Sequence, residues 1–133
     1  AEECKKEIYE IHKKVFELTG VEMELFRPPY GEYNDTVIQT ALEMAYYPIQ
    51  WSVDSLDWKN YGVEEMTRQV VENKNLDNGA IILMHNGTLY TAQALQGIID
   101  GLENKGYQFV PVSELILRDG YVINHEGKQM AGE

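Results

Sequence analysis

The residues that could do chemistry fall into three short clusters. Arg-Pro-Pro-Tyr-Gly at 27–31 places a cation before a stiff turn, Asp-Ser-Leu-Asp-Trp at 54–58 offers two carboxylates beside a large ring, and His85 follows an apolar run. An imidazole exchanges protons near neutral pH, and a partner carboxylate favours a catalytic role for it. The two prolines restrict the backbone, so the Tyr30 amide can be held in one direction as a hydrogen-bond donor. The clusters therefore indicate acid–base chemistry.

Each cluster also has a purely structural interpretation. Arg27 taken alone is a surface cation beside a stiff loop, and Asp residues commonly cap helices and close turns. A single histidine after an apolar strand is more often structural than catalytic. The carboxylates predicted at the neighbouring strand end shift the interpretation of His85 towards function. For Asp54, a role confined to stabilising the turn stays open.

Alternating helices and strands must position these clusters. The predicted helices run from Cys4 to Leu18 with an end at Gly20, from a cap at Asn34, over Val63–Asn73, from a cap at Thr91, and from a cap at Ser113. The predicted strands are Met23–Arg27, Tyr47–Val53, Ala80–Met84 and Tyr107–Val112. This order predicts an α/β fold with a mainly parallel sheet, in which active groups gather beyond the C-terminal ends of strands. All three clusters occupy such positions.

Length and charge limit the classes of protein that fit. The 133 residues suffice for one domain, and 11 Lys and Arg against 22 Asp and Glu give a net charge of −11. A surface this acidic disfavours binding to nucleic acid or anionic membranes. The longest apolar run, Ala80–Met84, is too short to span a membrane, and no linker marks an internal boundary. We therefore predict a soluble, single-domain chain with a polar C-terminal tail over 118–133.

Taken in order, the three clusters resemble the C-terminal part of the polysaccharide deacetylases, the NodB-homology domain of carbohydrate esterase family 4. That family carries five short motifs along a distorted (β/α) barrel. Residues 27–30 match the third motif, 54–58 the fourth and 83–85 the fifth, while 101–115 resembles the last helix, strand and helix. The resemblance extends to about Leu117. It implies that residues 1–133 form a partial NodB-homology domain, the C-terminal portion of such a barrel.

Two of the family's motifs have no counterpart here. The sequence contains neither the adjacent Asp pair, which supplies the catalytic base and one metal ligand, nor the His-x-x-x-His pair that completes the metal triad. The resemblance therefore implies an N-terminal motif segment that this chain lacks. It also implies that zinc or another divalent metal belongs to the intact parent, with none of its ligands in this chain.

The resemblance assigns roles to the catalytic candidates. The intact parent would remove N- or O-acetyl groups from a polysaccharide such as peptidoglycan, a chitin-type polymer or xylan. His85 would donate a proton to the leaving amine or alcohol, and Asp57 would orient the His85 ring. Arg27 would keep the absent Asp base ionised and aimed. The chain alone is expected to be inactive.

Substrate binding is assigned in the same way. The implied residues are Tyr30, through its backbone amide at the oxyanion, and Trp58 and Leu83, which would line a pocket for the acetyl methyl group. The implied partner is an acetylated polysaccharide, without nucleic-acid binding or membrane insertion. The family works mainly on cell envelopes and extracellular glycans, so an extracellular or cell-envelope location is expected.

Three other hypotheses stay open. The chain could be a non-catalytic glycan-binding or scaffold half-domain. It could instead be one piece of a complemented or domain-swapped assembly, or self-associate, because unpaired strand edges invite pairing. In the third hypothesis Asp54, Asp57 and His85 form a metal site of their own. This is disfavoured because Asp57 and His85 already have a coherent role as orienting group and acid.

Overall fold

A computed structural model describes residues 1–132 and shows an α/β chain with short strands. The α-helices are α1 (Glu2–Thr19), α2 (Asp35–Glu43), α3 (Val63–Val71), α4 (Thr91–Asn104) and α5 (Val112–Leu115). The strands are β1 (Leu25–Phe26), β2 (Tyr47–Pro48), β3 (Val53–Asp54), β4 (Ile82–Leu83), β5 (Tyr121–Ile123) and β6 (Gln129–Ala131). Short 3₁₀ turns cover Pro29–Gly31 and Asp57–Lys59. The predicted α/β class is confirmed.

The chain divides into two compact units where the sequence predicted no internal boundary. The first unit holds Ala1–Gln50 and the segment from Leu117 onward, and the second holds Trp51–Ile116. The first unit is discontinuous, since the chain leaves it after Gln50 and returns at Leu117. Neither junction is a Gly- or Ser-rich linker, so composition does not mark either one.

In the first unit, α1 and α2 enclose a small core of Ile8, Ala41 and Tyr46. As predicted, α1 ends at Gly20, which has a left-handed backbone (φ 71°) and donates its N–H to the Phe16 carbonyl. Asn34 caps α2 as predicted, because its side chain accepts the Val37 N–H at 3.0 Å. The pair β1–β2 is parallel.

The second unit carries the larger core. The pair β3–β4 is parallel, with Val53 opposite Ile82 and Asp54 opposite Leu83. Its buried core residues are Val53, Met66, Val70, Ala94, Ile98 and Leu102. A Cβ added at Gly101 would lie 2.8 Å from a Val71 methyl, so the glycine permits the close approach of α4 to α3. Because β3 and β4 run in the same direction, the loops that follow them begin at the same edge.

The predicted strand Tyr47–Val53 is wrong as one element. The N–H groups of Tyr47 and Ile49 bond to β1 and its neighbour Glu24, whereas those of Ser52 and Val53 bond to Ile81. Pro48 lies within this stretch and lacks an N–H for a strand ladder. The segment therefore changes its hydrogen-bonding partner partway along and forms β2 and β3 in two separate pairs.

Two predictions near the C-terminus also need correction. Residues 107–110 form no strand among the described residues, because no segment pairs with them, and the Tyr107 N–H instead bonds to Leu102 at the end of α4. α5 begins at Val112 with Pro111 as its N-cap, so Ser113 lies inside it. Within the stretch that was predicted as a polar tail, β5 and β6 form an antiparallel pair.

Candidate active site

The structure brings Asp57 and His85 together in the second unit. Asp57 opens the 3₁₀ turn after β3, and His85 lies two residues beyond β4. The His85 backbone N–H donates to Asp57 Oδ2 at 2.6 Å, and ring atom Nδ1 lies 2.7 Å from Asp57 Oδ1. The parallel pairing explains this proximity, because both residues leave the same edge of one strand pair.

Thr91 completes this cluster and was not predicted to belong to it. It was expected to cap α4, but the cap position is Tyr90 and Thr91 is the first helical residue. Its hydroxyl lies 2.9 Å from Asp57 Oδ2 and also contacts the Thr88 hydroxyl. The only sequence signal is a hydroxyl residue at a helix start shortly after His85. That pattern does not distinguish a cap from a ligand of the carboxylate.

The surroundings of Asp57 keep it ionised. Its side chain is fully buried, and burial by itself would raise the pKa of Asp57. Hydrogen bonds from the His85 backbone, the His85 ring and Thr91 outweigh burial, so the pKa of Asp57 is lowered below its ordinary value. An ionised carboxylate only accepts hydrogen bonds. Nδ1 of His85 must therefore carry a hydrogen directed at Asp57.

This tautomer leaves Nε2 of His85 as the ring atom that can exchange a proton with a ligand. The His85 side chain is 44% exposed, whereas that of Asp57 is 0% exposed. The pair therefore combines a buried, charged acceptor with a solvent-accessible imidazole. A buried carboxylate that orients an accessible imidazole is an arrangement suited to acid–base chemistry.

Asp54 has a different role. Its Oδ1 accepts the Leu56 N–H at 2.9 Å, which closes a local turn. The turn-stabilising interpretation of Asp54 agrees with this geometry. Within residues 1–132 no group of three or more His, Cys, Asp or Glu side chains is arranged to hold a metal ion. The structure gives no support to the hypothesis of a metal site made by Asp54, Asp57 and His85.

The loop after β1, in the first unit, holds its backbone tightly. Arg27 follows the strand, and the N–H groups of Gly31 and Glu32 bond to the carbonyls of Pro28 and Pro29 at 3.0 and 3.1 Å. Tyr30 between them has φ 58°, in the left-handed region. No acceptor within residues 1–132 takes the Tyr30 N–H, and its side chain is 97% exposed. The loop thus presents one unused backbone donor.

The two predicted pocket residues differ in exposure. Trp58 is 57% exposed, and Lys59 Nζ lies 5.2 Å from its ring centroid. Leu83 is 6% exposed and belongs to β4. Their role in lining a pocket for an acetyl methyl group stays a prediction.

Sequence relatives point to one family. A family model described as polysaccharide deacetylase matches residues 1–49. A peptidoglycan-N-acetylglucosamine deacetylase of Bacillus cereus is 45% identical over 109 residues, covering 78% of this chain and 50% of the relative. The Listeria monocytogenes peptidoglycan-N-acetylglucosamine deacetylase PgdA is 38% identical over 114 residues, covering 86% of this chain and 23% of the relative. The chain thus spans half or less of the length of these two relatives.

Solved structures that resemble this chain belong to the same family. A carbohydrate esterase family 4 pseudoenzyme from Bacillus anthracis superposes with a TM-score of 0.79 at 29% identity, covering 86% of this chain and 40% of that one. A family 4 carbohydrate esterase from Streptomyces lividans, in complex with acetate, superposes with a TM-score of 0.72 at 27% identity. The match covers 98% of this chain and 62% of that one.

In the described part of the chain, no helix has both the length and the apolar character needed to cross a membrane. Both kinds of comparison lead to the family whose third, fourth and fifth motifs the sequence resembles, and the structural matches fit a portion of its distorted (β/α) barrel. The chain belongs to the polysaccharide deacetylases of carbohydrate esterase family 4, as a partial NodB-type α/β domain.

Proposed function

We propose that this chain supplies the proton-donating part of a deacetylase that hydrolyses N- or O-acetyl groups on a cell-wall or related polysaccharide. The observation that carries the proposal is the buried, hydrogen-bonded Asp57 carboxylate holding the exposed imidazole of His85. The names of the relatives support peptidoglycan as the substrate. Their match supports a bacterial envelope or extracellular location.

His85 acts as the general acid in this proposal. When the carbon–nitrogen or carbon–oxygen bond of the acetyl group breaks, the leaving atom takes the proton from Nε2. Asp57 remains ionised and keeps its hydrogen bond to Nδ1 throughout, so the ring stays aimed. A positioned general acid contributes about 10² to 10⁴ in rate.

The loop after β1 supplies two further groups. We assign the Tyr30 N–H to the oxyanion that forms on the acetyl carbonyl, because this amide is unused and its turn is fixed by hydrogen bonds on both sides. We assign Arg27 to the carboxylate of the catalytic base, which the family's first motif provides and this sequence does not contain. A guanidinium beside a carboxylate favours its ionised form. Trp58 and Leu83 are proposed to contact the acetyl methyl group.

Deacetylases of this family are generally metal-dependent, yet the described residues do not fit a metal site. The sequence also contains no adjacent Asp pair and no His-x-x-x-His. Zinc or another divalent ion is therefore assigned to the intact parent, held by residues outside this chain. Such an ion would polarise the acetyl carbonyl.

One observation favours a non-catalytic alternative. A Bacillus anthracis protein among the structural matches is described as a pseudoenzyme of this family. The chain could likewise act as a glycan-binding or scaffold half-domain. Complementation or self-association is supported by α1. The steps of three and four between Cys4, Ile8, Ile11, Val15 and Leu18 place these residues on one face of the helix, yet Ile11 is 60% and Leu18 75% exposed.

Acetate release distinguishes these functions. The full-length protein carrying this chain, loaded with zinc, is incubated with acetylated peptidoglycan and with acetylated glucosamine oligomers. Release of acetate by the wild-type protein and its loss in His85→Ala support the deacetylase. A metal-loaded protein that binds the glycan without releasing acetate would establish the non-catalytic alternative.

A further inference from the structure

We propose that Thr91 is a positioning residue for the proton donor His85 and acts through the carboxylate of Asp57. The inference rests on the proposed deacetylase function. It starts from the hydroxyl contact of 2.9 Å between Thr91 Oγ1 and Asp57 Oδ2.

The direction of these hydrogen bonds follows from chemistry. The ionised Asp57 can only accept, so the single hydroxyl hydrogen of Thr91 is donated to Oδ2. The contact between the Thr88 and Thr91 hydroxyls must then use the hydrogen of Thr88. A directed chain runs from Thr88 through Thr91 to Asp57, and the His85 ring donates to the other oxygen of the same carboxylate.

The carboxylate plane depends on this chain of bonds. Oδ2 accepts from the His85 backbone and from Thr91, and Oδ1 accepts from the His85 ring. Rotation about the terminal bond of an Asp side chain is otherwise broad. The Asp57 side chain is 0% exposed, so water cannot readily replace a lost donor. Removing the Thr91 hydroxyl would loosen the carboxylate and with it the ring that it aims.

Thr91 is itself well anchored. It is the first residue of the 14-residue helix α4, whose buried residues Ala94, Ile98 and Leu102 belong to the same core as Val53 of β3. A branched Cβ also restricts its side-chain rotamers. The hydroxyl is therefore held in place by the core of the second unit, independently of the flexible side chains at the surface.

The test compares Thr91→Val, which has nearly the same shape without the hydroxyl, with Thr91→Ser, which keeps the hydroxyl. Thr67→Val is the matched control, because the Thr67 hydroxyl on α3 bonds only to the Val63 carbonyl of its own helix. In the zinc-loaded full-length protein, we expect Thr91→Val to lower kcat about tenfold to a hundredfold, less than loss of the acid itself. The KM and the bound zinc of Thr91→Val should stay unchanged. The kcat values of Thr91→Ser and Thr67→Val should remain near that of the wild type.

A second readout follows the carboxyl carbon of Asp57 by nuclear magnetic resonance. Its titration midpoint should rise in Thr91→Val and stay in place in Thr91→Ser, because one donor to the charged form is lost. If Thr91→Val does not fold, Thr88→Val serves instead, because it removes the donor to the Thr91 hydroxyl. It should lower kcat and raise the Asp57 titration midpoint, each by less than is expected for Thr91→Val. The role of Thr91 would be overturned if a folded Thr91→Val variant kept the wild-type kcat and the wild-type titration midpoint of Asp57. It would also be overturned if Thr91→Ser lowered kcat as much as Thr91→Val does. Absence of acetate release by the wild-type protein would instead contradict the deacetylase function.

Discussion

The loop after β1 and the loop after β3 both follow a parallel strand, yet they are held in different ways. Residues 27–31 are held mainly by local means, two prolines and two turn hydrogen bonds, with one longer-range bond from the Gln50 side chain to the Gly31 carbonyl, and the Tyr30 N–H remains unused. Residues 54–58 are held by long-range bonds, since Asp57 contacts groups 28 and 34 positions away. The first loop presents a donor, whereas the second is already assembled with its partners.

The same contrast appears within the second loop. Asp54 and Asp57 lie three positions apart and have the same side chain. Asp54 bonds two residues along the chain, and Asp57 bonds to a neighbouring strand end and to a helix start. Residue type alone therefore does not determine which carboxylate aims His85, and the tertiary neighbours do.

The largest expected effect concerns the 133-residue chain by itself. Because neither the base nor the metal ligands are in its sequence, we expect no measurable acetate release from acetylated glucosamine oligomers or acetylxylan, even with added zinc or cobalt. Adding a fragment that carries the first two family motifs should restore activity. Robust turnover by the chain alone, measured as acetate release, would show that the first loop needs no outside partner.

Replacing the acid should come next in size. In the full-length protein, we expect His85→Ala to lower turnover by about 10² to 10⁴, because a general acid is lost. Bound zinc and glycan affinity should stay close to wild type. Asp54→Asn is the matched control, since an amide oxygen can still accept the Leu56 N–H. Measuring bound zinc in the same variant distinguishes a general acid from a metal ligand. Loss of zinc in His85→Ala would make His85 a metal ligand and would contradict its role as the acid.

Asp57 should also affect stability in a pH-dependent way. Its lowered folded pKa stabilises the native state above its ordinary pKa of 3.8, and this contribution is lost as the pH falls through the folded value. We expect Asp57→Asn to lower the free energy of unfolding by about 1 to 3 kcal/mol at pH 7, because hydrogen bonds to a charged group are lost.

Urea denaturation of the wild type and Asp57→Asn at several pH values tests this prediction. The difference in stability between the two should narrow as the pH falls from about 4 through the folded pKa of Asp57, because the unfolded wild-type chain takes up the proton first and the native carboxyl takes it up only at lower pH. A difference that stays constant down to pH 2 would mean that the charge of Asp57 does not contribute.

The smallest effect is expected at the Tyr30 side chain. It is 97% exposed, and the proposed role belongs to its backbone N–H. Tyr30→Ala should therefore change kcat by less than about threefold, since the transition-state contact through the amide is kept. Steady-state kinetics on acetylated glucosamine oligomers measures this. A loss of a hundredfold would assign the role to the phenol ring instead of the backbone.

Local features were predictable because they depend on neighbours in the chain. The α1 helix, its end at Gly20 and the Asn34 cap all follow from side chains within four positions of the groups they bond. The positions of the three clusters beyond predicted strands followed in the same way. The spacing of apolar residues places Ile11 and Leu18 on one face of α1, but both side chains are largely exposed, and spacing alone does not say whether such a face is covered.

The amino-acid sequence by itself determined the α/β class, the three clusters and their order, and the absence of the first two family motifs. Tertiary structure decided that the segment 47–53 changes partners, that Asp57 and not Asp54 holds His85, and that Thr91 bonds to the carboxylate where a helix cap was predicted. The reason is physical. A carboxylate, a hydroxyl or a strand N–H can satisfy its hydrogen bond with many partners, and only the packed chain determines which partner lies within reach.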